Sequence, residues 1–280
     1  MLLVSYLKTI MLLYAGLASN GELLSGHIQS DSTETPQSTL QVGTSYMNIV
    51  NYRGRTFGIN QYGFMPMAKY ISKTGFVLNA TGYYWSGMDN KLAKLDLGIG
   101  YEKEIVKNLY ASFNYERWLW NENNVEEQNP LKNYLAADMT YDFGYWNVSG
   151  TYEYMWGDQH LSQLTFQIAG DIPLYSNEAE TSELKFQPGF TFIMANQSSL
   201  SVISAPNYLS NKKGKKTATT LINDPFQVQD YELSAPLYLK WNNTEITGAY
   251  RYAFPLNGSP DEHLKPFGYF TLDFVYNIKW

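Results

Sequence analysis

The chain has 280 residues, with 20 Lys and Arg against 26 Asp and Glu, no Cys, and 24 Tyr, 14 Phe and 7 Trp. The charged share is only 16%, equal to the aromatic share, where soluble domains carry about 25% charged residues. The lack of Cys excludes disulfides, Cys-type zinc sites and a Cys-anchored lipoprotein start, and a formal charge of -6 gives no basic footprint for nucleic acid.

Met1 to Ala18 is apolar with a single charge, Lys8. Gly16-Leu17-Ala18 places small residues at positions -3 and -1 of a cleavage site after Ala18, so residues 1–18 are expected to be a secretory signal. Residues 19–39, rich in Ser, Thr, Gln and Pro, are expected to be a flexible periplasmic lead-in. Residues 40–280 then form one domain. Past the N-terminal segment no run of about 18 apolar residues could cross a bilayer as a helix.

From Leu40 onward the dominant pattern is alternation of apolar and polar residues with period two, in segments of about ten residues. One such segment sets Trp146, Val148, Gly150, Tyr152, Tyr154 and Trp156 against Asn147, Ser149, Thr151, Glu153 and Met155. Segments of this kind fall near 40–50, 55–68, 75–85, 91–101, 109–118, 132–143, 145–156, 161–172, 184–195, 231–241, 244–255 and 266–280. They predict an all-β fold, a closed antiparallel transmembrane β-barrel of about twelve strands, with ten or fourteen as the even-numbered alternatives. One face to lipid and one to a polar lumen also accounts for a hydrophilic mean hydropathy of -0.33.

Such barrels keep periplasmic turns short and outer loops long. With the C-terminus in the periplasm, the tight turns at 143–145 and 241–244 are periplasmic, while 119–131, 196–230 and 256–265 are extracellular. The longish 171–183 segment is an exception on the periplasmic side, and the short 157–160 connection is an exception on the outside.

The chain ends on one unbroken apolar face, Phe270, Leu272, Phe274, Tyr276, Ile278 and Trp280. This resembles the C-terminal assembly signal of bacterial outer-membrane β-barrel proteins, an amphipathic last strand ending in an aromatic residue. The resemblance implies outer-membrane location, with outer-membrane lipid and the barrel assembly machinery as partners. It covers about the last ten residues closely, and Trp replaces the commoner Phe.

Asp138, Asp142, Glu153, Asp171, Lys185, Glu232, Lys240, Arg251, Asp273 and Lys279 fall on the expected inward faces as candidate lumen-lining residues. Facing lipid, each would cost on the order of a few kcal/mol near the midplane. These charges either pair and fill a narrow interior or line a water-filled path. The expected function is therefore a passive channel for a small-molecule solute, with a filled barrel bearing functional outer loops as the alternative. Lys212, Lys213, Lys215 and Lys216 form a basic cluster in the longest outer loop, a solvated tip or a site for an anionic surface. An acyl hydrolase is the weakest reading: His160 and Ser162, two residues apart, could share a strand face, but such a pair is common by chance, and no catalytic residue is assigned. No metal site and no cofactor is expected.

Overall fold

The structure, a computed structural model, describes residues 37–52, 61–86, 92–121, 131–158, 160–177, 181–196, 226–257 and 264–280, with the backbone of 13–14, 25–26 and 55–56. The expected signal, most of the lead-in and the Lys212–Lys216 cluster lie outside the described residues.

Twelve antiparallel strands close on themselves. They are β1 Thr39–Met47, β2 Gly63–Ile71, β3 Phe76–Trp85, β4 Leu92–Val106, β5 Leu109–Trp120, β6 Leu131–Asp142 and β7 Trp146–Gly157. β8 runs as His160–Gly170 and Ile172–Ser176, and β9 as Ser182–Phe186 and Gly189–Asn196. β10 Phe226–Trp241, β11 Thr244–Pro255 and β12 Phe267–Lys279 complete the wall. Both parts of β9 pair with β10, Ser182–Phe186 opposite Leu237–Trp241 and Gly189–Asn196 opposite Phe226–Ser234, so they count as one strand. The break falls at Gln187-Pro188, where proline has no N–H to give. The Pro188 carbonyl instead accepts the Gly170 N–H at 2.7 Å, and Gln187 N–H donates to the Pro236 carbonyl at 2.9 Å.

Closure runs through β12 and β1, in register from Thr271 opposite Met47 to Lys279 opposite Thr39. Ser38 and Trp280 exchange two backbone hydrogen bonds of 3.2 Å beyond the last pair. Inside the seam Gln41 Nε2 donates to Asn277 Oδ1 at 3.0 Å, and the Ser45 hydroxyl donates to Asp273. Outside it the Trp280 ring stacks on Tyr70 of β2 with centroids 6.0 Å apart.

One end of the barrel carries the tight turns. Asn108, Asn242, Gly75 and Gly144 take positive φ there, the backbone region that Asn and Gly occupy at least cost. At Gly75, with φ of 93°, a Cβ would also collide with the Glu102 carbonyl oxygen. The other end, the loop end, carries the longer connections. Four expected boundaries move, one of them the start of the tenth strand, at Phe226 rather than 231. The second strand lies at Gly63–Ile71 rather than 55–68, because residues 51–52 and 55–56 pair with each other beyond the mouth. The fourth continues past 101 to Val106 and turns at Lys107-Asn108. The long 171–183 connection shrinks to 177–181, because the two ends of β8 and β9 continue as a paired extension. The Gly157–His160 connection stays short at the loop end.

A Cβ on Gly43 would come well within van der Waals contact distance of the Phe274 carbonyl oxygen across the seam. Gly43→Val is therefore expected to weaken closure by about 1–3 kcal/mol, in line with overpacking at a tight contact. The check is urea unfolding of the detergent-folded protein, with Gly144→Val, whose Cβ meets nothing within 4 Å but whose φ is 108°, as a comparison for turn strain alone.

Candidate lumen

Exposure alternates along each strand, and in a closed barrel the buried parity is the inner face. All ten expected lumen residues lie on that parity. Asp142, Glu153, Asp171, Lys185, Glu232, Arg251 and Asp273 are buried, Asp138 and Lys240 are half-buried, and Lys279 is exposed at the turn end. Long side chains on strands of a barrel this size reach across a restricted interior, which is why most of them are shielded.

The structure sorts these charges into local clusters. Arg251 Nη1 lies 2.8 Å from Glu232 Oε1, and the other Glu232 oxygen accepts from the Tyr269 hydroxyl. Lys185 sits between Asp171 at 3.2 Å and Glu183 at 2.8 Å, with Gln187 Nε2 donating to Asp171 at 3.0 Å. Glu153 accepts from the Tyr134 hydroxyl at 2.9 Å and from Gln163 Nε2. Asp138 accepts from Thr151 at 2.9 Å and Thr140 at 3.3 Å. Cross-strand partners such as these follow from the shear, which the sequence pattern does not reveal.

Sequence reasoning missed the inner charges of β2, β4 and β5. Lys69 pairs with Glu102 at 2.9 Å. Lys94 pairs with Asp96 at 2.8 Å, both about 1% exposed. Glu116 accepts from Asn79 and Asn114 at 2.9 Å each and from Trp118 Nε1 at 3.3 Å. Parity would have found Asp96, which alternates with Leu95 and Leu97.

Near the loop end the inner face becomes apolar. Met47, Val50, Met65, Tyr83, Trp85, Ala93, Ala253 and Tyr269 form one buried cluster, and Trp118, Leu131, Tyr134, Met155 and Leu161 a second. Trp120 packs against both. Between them Lys94 Nζ lies 3.8 Å from the Trp118 ring centroid, 4.3 Å from Tyr83 and 5.3 Å from Trp120, so ring quadrupoles and Asp96 together hold a cation away from water. Three bulges build this layer. At β4, β6 and β10 the register slips by one residue, so Ala93 and Lys94, or Gln229 and Asp230, are buried in succession and Leu131 turns inward. A bulge breaks the two-residue period, which is why periodicity alone missed the layer.

On the outer face Phe270, Leu272, Phe274, Tyr276, Ile278 and Trp280 are all exposed, in one row. His160 and Ser162 also face outward. The Tyr152 hydroxyl meets the Ser162 hydroxyl at 3.4 Å, and the His160 and Tyr154 rings lie 6.4 Å apart.

Removing one partner of a buried pair leaves the other uncompensated, at a cost of roughly 3–5 kcal/mol. Lys94→Ala is expected to lower unfolding stability by about that much through Asp96, and Lys94→Met with Asp96→Leu to restore most of it. Equal destabilisation by the single and double variants would show that the rings, not the ion pair, set the stability of this layer.

No protein-family model and no curated protein matches the sequence. Among solved structures the chain is similar to the KdgM porin, at 7% identity and TM-score 0.47 over 85% of this chain and 98% of that one. It is likewise similar to the NanC porin, at 9% identity and TM-score 0.46 over 85% and 98%. The β domain of the Bordetella autotransporter BrkA aligns at 9% identity and TM-score 0.43 over 88% and 100%.

Proposed function

We propose that the protein is an integral outer-membrane β-barrel that passes small solutes through a narrow polar lumen, with its constriction in the aromatic layer near the loop end. The observation that carries this reading is the polarity of the inner face below that layer. Gln41 Oε1, Asn147 Oδ1, Gln163 Oε1 and Asp273 Oδ2 are buried acceptors to which the barrel wall supplies no hydrogen-bond donor. A polar inner face of this kind suits a water-bearing path, whereas a dry cavity is lined by apolar side chains. Ser112, Asn114, Ala136 and Asp138 on β5 and β6 are half-buried on the same face, as befits the wall of a narrow opening.

Membrane insertion is supported by the outer face. Leu97, Ile99, Phe113, Met139, Phe166, Leu233 and Leu272 are each more than two-fifths exposed, on strands distributed around the wall. A contiguous apolar surface of that extent suits lipid and not water. Trp146, Tyr145, Phe143, Trp241 and Trp280 add an exposed aromatic girdle at the turn end. Outer-membrane lipid, the assembly machinery and a small solute are the partners this reading requires.

A second reading, a filled barrel that presents functional outer loops, is favoured by the burial of Arg251, Lys94 and Glu232 and by the apolar layer itself. Planar-bilayer recording separates the two. Discrete conductance is expected from the purified protein, rising in a Trp118→Ala, Trp120→Ala variant that thins the layer. Silence over a range of voltages and salts in both proteins would leave the filled barrel as the reading to keep.

Location has its own test. Deleting Trp280, or replacing Phe274 and Tyr276 together with Asp, is expected to leave export intact while sharply reducing heat-modifiable, membrane-inserted protein. Wild-type protein found in the soluble fraction, with the deletion making no difference, would remove the membrane assignment.

A further inference from the structure

On the arc from β2 to β5 the sign of a charge follows the face it stands on. The carboxylates of these strands, Asp96, Glu102, Glu104 and Glu116, all lie on the inner parity. Each is engaged there, Asp96 by Lys94, Glu102 by Lys69, Glu116 by Asn79 and Asn114, and Glu104 by the Asn108 N–H at 2.8 Å. The charged residues on the outer parity are Lys103 and Arg117, both cations. Arg117 lies toward the loop end and donates to Asn133 at 3.0 Å. Lys103 lies at the turn end.

Two more lysines join Lys103 there. Lys73 in the β2–β3 turn and Lys107 in the β4–β5 turn are exposed, and none of the three forms an ion pair among the described residues. The Glu102 N–H donates to the Gly75 carbonyl at 2.8 Å, which holds the Lys73 turn against β4 beside Lys103. The surface around them is apolar. Tyr101 and Ile105 flank Lys103 on the outer face, Phe76 is exposed on neighbouring β3, and Ile105 and Val106 are each 58% exposed right up to the turn. A Lys on a lipid-facing row is tolerated near the interface, where its stem follows apolar neighbours and its ammonium reaches the headgroups. The exposed Ile105 and Val106 keep this rim at that level, since farther out they would stand in water.

We propose that the turn-end rim of β2–β5 binds phospholipids whose headgroups carry a net negative charge, in the periplasmic leaflet. The inference rests on the membrane-inserted reading and names the lipid class that one sector of the wall selects. Three ammonium groups meet the phosphate layer with every carboxylate of the arc turned inward, so phosphate is the anion left to them. A zwitterionic headgroup offsets its own phosphate with a choline or ethanolamine cation. An anionic one leaves that charge to the lysines.

The test is native mass spectrometry of the detergent-folded protein with phosphatidylglycerol or phosphatidylcholine added, run beside insertion into phosphatidylcholine vesicles. Phosphatidylglycerol is expected to be retained over phosphatidylcholine on the order of tenfold, since each Lys near an anionic surface contributes about fivefold. The preference should fall several-fold in a Lys73→Gln, Lys103→Gln, Lys107→Gln variant and persist in Lys132→Gln, at the loop end. If the triple variant does not fold, Lys103→Gln alone carries the same information, as does loss of the wild-type preference at about 1 M ammonium acetate, where screening leaves a reach of about 3 Å. Equal retention of the two lipids, a preference unchanged in the lysine variants, or displacement of the lipid by inorganic phosphate overturns the inference and leaves the membrane assignment standing. Protein that fails to enter the vesicles at all removes the membrane assignment and this inference with it.

Discussion

The backbone ladder between β12 and β1 is the constraint on which the rest of this molecule depends. A twelve-stranded antiparallel sheet left open would expose two rows of N–H and C=O groups, and in an apolar medium each unpaired group costs several kcal/mol. Pairing Thr271–Lys279 with Thr39–Met47 removes both rows at once. The seam also joins the two ends of the barrel sequence, the strand pairing of greatest sequence separation among the described residues, so it forms only if every intervening hairpin holds its register. Gly43, the Ser45–Asp273 hydrogen bond and the Tyr70–Trp280 stack all act on this joint, from within the ladder, inside and outside respectively.

Once the sheet is closed, parity assigns every residue to the interior or the surroundings, and the interior has to solve two problems of opposite kind. Toward the turn end it is polar, with Lys185 held between Asp171 and Glu183, and Arg251 pairs with Glu232 next to the apolar layer. Toward the loop end the same inner rows turn to Met, Trp and Tyr. Lys94 belongs to both regimes, ion-paired to Asp96 and roofed by aromatic rings. A cation so placed ties the apolar layer to the polar lumen below it, and any widening of the layer has to move that side chain.

The outer face is simpler because the demand on it is uniform. Aliphatic and aromatic residues alternate outward on every strand, and large rings gather near the turn end. Sharp turns at this end need Asn or Gly at positive φ, and four such residues stand there. Short turns at one end, and connections that are longer at the other except between β7 and β8, give the barrel its polarity.

Alternation with period two, read along the chain, determined the fold class and gave about twelve strands, because side chains of a strand point to opposite faces by covalent geometry alone. Asp138, Glu153, Arg251 and Asp273 could be assigned inward from their neighbours in sequence. Tertiary structure decided what parity does not contain. Register and shear chose which strand supplies each partner, bringing Gln163 to Glu153 and Tyr269 to Glu232. Bulges on β4, β6 and β10 shifted the phase of the alternation and so built the aromatic layer, and pairing beyond the barrel rim converted an expected long connection into the extended ends of β8 and β9. The sequence carries the period; only the closed sheet fixes its phase and its partners, since both depend on hydrogen bonds between residues far apart in the chain.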